Sequence, residues 1–118
     1  MSITLVLLSA CSNGPVIDEQ VEQPVEVLYN EALDLALANQ PKKAAPKFEE
    51  VERQHPYSVW AVRSQIMAGW AFYAENDYQR AVATLDRFIE LYPADPLTEY
   101  AYYLRALCFY EQIVDVER

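Results

Sequence analysis

The stretch that decides the fold runs from Ala44 to Pro93, AAPKFEEVERQHPYSVWAVRSQIMAGWAFYAENDYQRAVATLDRFIELYP, because it repeats itself. A step of 37 residues carries Ala44 onto Ala81, Phe48 onto Leu85, Val51 onto Phe88 and Pro56 onto Pro93. Outside the stretch the step still works, taking Ala32 to Gly69 and then Ala106, and Leu35 to Phe72 and then Phe109. Small residues land on small, large apolar on large apolar, proline on proline. That is the signature of stacked helical repeats, each unit burying its apolar face on its neighbours. Two repeats and the first half of a third fit in the chain, over 25–58, 59–95 and 96–118.

Composition agrees with an all-helical domain. Of the 118 residues 53% are hydrophobic and only two are glycine, so few turns are specified. Asp and Glu outnumber Lys and Arg 18 to 9, for a formal net charge of -9. That balance argues against nucleic acid or an anionic lipid surface as partner. It suits a solvated acidic surface, or a preference for basic patches on partners. The two cysteines have unlike contexts and are not paired: Cys108 sits within a helical pattern, as a small buried hydrophobe.

Cys11 closes a different motif. Ile3 to Leu8 is apolar except for Thr4, and leads into Leu8-Ser9-Ala10-Cys11. Six residues are too few for a bilayer, which needs about 20; a secretory signal with small residues before the cut fits better. Residues 1–10 contain no Lys or Arg, a departure from the usual charged start of such signals. Leu-Ser-Ala-Cys resembles the lipobox of bacterial lipoproteins, in which the cysteine is acylated and becomes the first residue. By the same resemblance, Ser12 in place of Asp implies sorting to the outer membrane. Residues 11–24 then read as the lipidated cysteine and a flexible tether with a reach of about 20 Å.

From Val25 onward the pattern is helical. Helix one is expected over about Val25 to Asn39, with Leu28, Ala32 and Leu35 as its apolar stripe. Helix two starts near Pro41 and presents Ala44, Phe48 and Val51; Pro46 implies either a start nearer Ala45 or a bent first turn. Ser58 caps helix three, whose Ala61, Gln65, Ala68, Gly69 and Phe72 face its partner. Gly69 costs about 1 kcal/mol in helix propensity, so a close approach of two helix backbones is expected there. Asp77 caps helix four, and Asp95 caps helix five with Pro96 at its first position. Tyr102, Ala106 and Phe109 continue the core stripe and, with the next helix lacking, are expected to be partly exposed.

Gly69, Phe72, Ala81, Leu85 and Pro93, with Ala32, Leu35, Ala44, Phe48 and Pro56, resemble the tetratricopeptide pattern, although its usual period is 34. The expected fold is therefore an all-α tetratricopeptide-repeat superhelix of antiparallel helix pairs. The phrases FEEVERQHPYS (Phe48 to Ser58), YQRAVATLDRFIELYP (Tyr78 to Pro93) and EYAYYLRALCFYEQI (Glu99 to Ile113) further resemble the BamD family, lipoproteins of the outer-membrane β-barrel assembly machinery. That family carries five repeats, so the likeness, over about residues 25 to 118, is to its N-terminal half. The resemblance implies a non-catalytic subunit on the periplasmic face of the outer membrane, held by its lipid alone, with no cofactor beyond the covalent lipid on Cys11. The implied partners are BamA, accessory lipoproteins and the aromatic-ended C-terminal signals of unfolded β-barrel clients, and nucleic acid is not among them.

No catalytic or metal constellation stands out: His55 is the only histidine, and no phosphate-cradling glycine loop exists. What remains is a binding surface. On the first helix of each repeat, residues beside the core stripe face the hollow of the superhelix. They are Tyr29 and Leu33 (with Glu26), then Arg63, Ile66, Trp70 and Tyr73, then Tyr100, Tyr103, Leu107 and Tyr110. So aromatic a set suits an extended peptide with aromatic side chains, whose terminal carboxylate Arg63 could pair. Packing against neighbouring repeats is the alternative reading of the same aromatics. A second functional reading also stays open, a pilotin-like or other tetratricopeptide-repeat scaffold lipoprotein of the cell envelope.

Overall fold

The computed structural model describes residues 22–116. The lipobox, Cys11 and most of the tether lie outside them. Five α-helices follow one another: α1 Val25–Leu37, α2 Pro41–Gln54, α3 Val59–Ala74, α4 Tyr78–Leu91 and α5 Thr98–Val116. Each packs on its chain neighbours, α1 also reaches α3, and α3 reaches α5. This is the antiparallel helix-pair stacking of a tetratricopeptide-type superhelix.

The 37-residue step holds at the level of single dihedrals. Among the described residues Asn39 (φ 57°) and Asn76 (φ 64°), one step apart, are the two non-glycine residues in the left-handed region. Asn tolerates that conformation because its short polar side chain costs little there. Each ends its helix in a Schellman motif: the Gln40 N–H donates to the Leu35 carbonyl and Asn39 to Ala36, and Asp77 to Phe72 and Asn76 to Tyr73, all at 2.9–3.1 Å. These ends place α1 at 37 and α3 at 74, so the first helix stops two residues before the expected Asn39. Between repeats the residue before each proline is bent alike, with φ -131° and ψ 58° at His55 and φ -130° and ψ 56° at Tyr92.

Helix starts follow the caps, with two corrections. Ser58 Oγ accepts from the Ala61 N–H, and Asp77 Oδ1 from the Arg80 N–H, both at 3.1 Å. Asp95 instead closes a turn ahead of α5: its Oδ1 accepts from Leu97 and its carbonyl from Thr98, so Pro96 lies outside the helix. Pro46 lies inside an unbroken α2 rather than at its start. Ala44 and Ala45, both fully buried, hold the first turn against its neighbours, and that packing outweighs the missing donor.

The core is a continuous stack of Phe48, Phe72, Leu85, Phe88, Leu104 and Cys108 with small residues between. Gly69 is closely approached, but by a side chain and not by the expected second helix backbone: a Cβ there would lie 2.8 Å from Leu85 Cδ2. Cys108 is fully buried, and burial pushes its thiol up. On helix α5 the stripe expected to be partly exposed is exposed, and a neighbouring one is buried. Ala101, Leu104 and Cys108 are buried against the preceding helices, while Tyr102, Ala106 and Phe109 face outward.

Candidate functional site

The odd-numbered helices carry the residues expected on the inner face, and the structure sorts them into two patches. The first lies where α1 meets the start of α3. Tyr29 packs its ring 5.7 Å from Phe48 and 4.9 Å from Trp60, and the Arg63 guanidinium sits 5.5 Å from the Trp60 ring centre. Arg63 is exposed and makes no ion pair among the described residues. A guanidinium stacked on an indole keeps its N–H edge open for a carboxylate while its face is anchored. Leu33, half-buried, lies on the same helix as Tyr29.

The second patch lies between α3 and α5. Tyr73 meets Tyr78 of α4 at 5.9 Å, and Tyr100 meets Tyr103 at 6.3 Å. Burial holds the Tyr73 hydroxyl above its ordinary pKa, with Glu111, Cys108 and Tyr103 adding to the effect. Burial does the same to Tyr100, helped by Tyr103 and Tyr73, and to Tyr78, helped by Glu111 and Asp115. All three stay protonated, so each offers an O–H donor on an apolar ring. Tyr100, Tyr103 and Tyr110 remain 39%, 60% and 61% exposed. Half-buried Trp70 and Leu107 pack against the core beneath the inner face.

One residue expected on this face is not available. Ile66 is 4% exposed and belongs to the core, because α3, sandwiched between its neighbours, buries a wider arc than one stripe. Two residues were missed. Trp60 stands at the head of α3; its i, i+3 spacing to Arg63 was the available signal. Tyr78 opens α4, the second helix of its repeat, whereas the aromatic inner-face pattern runs along the first helices.

Elsewhere the polar chemistry is structural. The His55 ring donates to the Gln23 carbonyl at 2.7 Å, and Gln54 Oε1 accepts from the Gln23 N–H, which pins the start of the described chain to the end of α2. Glu52 of α2 accepts from Gln65 at 2.8 Å and from Arg87 at 2.8 Å. Among the described residues no cluster of His, Cys, Asp and Glu could hold a metal ion, and no helix is long and apolar enough to cross a membrane.

Comparison with known proteins matches residues 21–118 to the profile of the family YfiO, outer membrane lipoprotein. The chain belongs to the YfiO outer membrane lipoprotein family. Members similar to it are named outer membrane protein assembly factor BamD. One from Caulobacter vibrioides is 50% identical over 97 residues, 82% of this chain and 32% of the relative. Another, from Rickettsia prowazekii, is 38% identical over 79% of this chain and 37% of the relative. A third, from Neisseria meningitidis serogroup B, is 35% identical over 89% of this chain and 41% of the relative. The chain thus spans about a third to two-fifths of these YfiO relatives, and the matched part holds both aromatic patches.

Proposed function

We propose that this chain is the client-receiving part of an outer-membrane protein assembly factor. Anchored by lipid at Cys11 on the periplasmic face, it binds and positions without catalysing a reaction. Its clients are unfolded β-barrel proteins, recognised by aromatic-ended C-terminal segments, and its neighbours are BamA and the accessory lipoproteins of the assembly complex. The family and the names of the relatives support the assembly role. Support for client binding comes from the inner face itself.

The observation that carries the reading is the exposure of Tyr100, Tyr103 and Tyr110 along one face of α5, beside the tyrosines of α3 and α4. Large rings left in water on one face mark a docking surface. Tyrosine offers stacking area at low entropic cost and a hydroxyl for the peptide backbone. Arg63, stacked on Trp60 and lacking an ion pair among the described residues, suits the terminal carboxylate of such a segment.

A peptide ending in phenylalanine, alternating apolar and polar residues as a barrel strand does, tests this by fluorescence anisotropy. The free-acid peptide is expected to bind, its C-terminal amide to bind about tenfold more weakly, and the Tyr103→Ala/Tyr110→Ala chain more weakly still. Equal binding of a scrambled peptide without aromatic residues would overturn the reading.

A further inference from the structure

Helix α2 breaks a local rule. Lys42, Lys43 and Lys47 are all the lysines this acidic chain has, and they occupy the first half of α2. A helix N-terminus favours negative charge, and lysines in its first turn are unfavourable there. In the second repeat the same problem is answered. Arg80, one 37-residue step beyond Lys43, is held by Asp77 at 2.6 Å and Glu75 at 3.7 Å. The step back from those carboxylates lands on Gln40 and Ala38, which carry no charge. Lys47 reaches Glu31 at 3.3 Å, but Lys42 and Lys43 make no ion pair among the described residues.

These lysines line an open groove of about 1010 Å³ with Leu28, Leu35 and Pro46; its one carboxylate, Glu50, is paired with Arg53. Two features say what would fill it. The equivalent face of the second repeat, around Gln65 and Arg87, is covered by the Glu52 carboxylate of the neighbouring helix. In the groove no carboxylate of the described residues pairs with Lys42 or Lys43, and the Pro46 ring adds apolar surface. A cationic rim and an apolar floor together fit a polypeptide that alternates carboxylates with aliphatic side chains. We infer that the α1–α2 groove docks an acidic, aliphatic segment of a partner protein, its carboxylates on Lys42 and Lys43 and its apolar side chains on Leu28, Leu35 and Pro46. This site takes the opposite chemistry from the aromatic face and stands apart from the client reading.

The test uses the full chain and a short labelled peptide that alternates Leu with Asp, alongside its Leu/Asn isostere. The acidic peptide should bind at least about tenfold more tightly than the isostere, and weaken as salt rises. Lys42→Glu/Lys43→Glu should abolish that preference, while Arg105→Glu, on α5, should leave it intact. Circular dichroism keeps loss of fold apart from loss of binding. Equal binding of the two peptides, or retention in the lysine variant, overturns the inference. So does a chain lacking residues 12–21 that binds the peptide far more tightly, since the leading segment would then be the occupant. Lysine-dependent binding to phosphatidylglycerol vesicles with none to the peptide would overturn it in favour of a lipid headgroup.

Discussion

Helices α3 and α5 hold the same place in successive repeats, yet one is closed on both sides and the other on one. Toward the preceding pair they are alike: Ser64 and Ala71 on α3 are fully buried, and so are their equivalents Ala101 and Cys108 on α5. Toward the following helix they differ. Gln65 and Phe72 are 2% and 1% exposed under α4, whereas Tyr102 and Phe109 are 54% and 47% exposed. A first helix therefore owes half its core to the helix that follows it. The same residue type at the same repeat position is core in α3 and surface in α5.

The comparison is broken most severely at the phenylalanines. Phe72→Ala should lower stability by about 3–5 kcal/mol, the range for deleting a buried aromatic ring, and Phe109→Ala by under about 1 kcal/mol. Urea unfolding of the two variants measures the difference; equal losses would mean that α5 is covered in solution. Next come the small residues. Gly69→Ala pushes a methyl group into Leu85 and should cost about 1–3 kcal/mol, partly offset by about 1 kcal/mol of helix propensity. Ala106→Leu, with open space before it, should stay within about 0.5 kcal/mol of the parent.

A cap gives a smaller contrast. Asp77→Ala should cost about 1 kcal/mol, and Gln40→Asp should stabilise α2 by a similar or smaller amount by supplying the cap and the anion Lys43 lacks. The Arg80 side chain, with its N–H, holds the Asp77 carboxyl below its ordinary value. A carboxyl depressed in the folded state contributes stability above its unfolded pKa, about 3.9, and loses it as pH falls through the folded value. The difference in melting temperature between parent and Asp77→Ala should therefore shrink below about pH 4. The smallest signal is kinetic. Cys108, buried and pushed up in pKa, should resist alkylation at neutral pH until the chain unfolds, and fast labelling would mean that α5 opens readily.

Much of the fold was legible because the repeat step acts on size. Ala44 with Ala81 and Gly69 with Ala32 mark where helices close on each other, and proline and asparagine mark where they stop. Burial was less legible, because periodicity names a face without saying what lies against it. Ile66 looked like an inner-face residue and is core, and the buried Ala101 and Leu104 of α5 carried no expectation of burial. The aromatic composition of the inner face could be read from one helix at a time. Its division into two patches could not, since Tyr29 with Trp60 and Tyr73 with Tyr78 meet only across helices.

The central claim is that the tyrosine face, rather than the exposed side of α5 or the lysine groove, receives an aromatic-ended peptide. Nuclear magnetic resonance of the chain titrated with such a peptide tests it most directly. The account predicts shifts at Tyr73, Tyr100, Tyr103 and Tyr110, extending to Trp60 and Arg63, with Lys43 and Phe109 unmoved. Shifts confined to Phe109, Ile113 and Val116, or to Lys42 and Lys43, would contradict it.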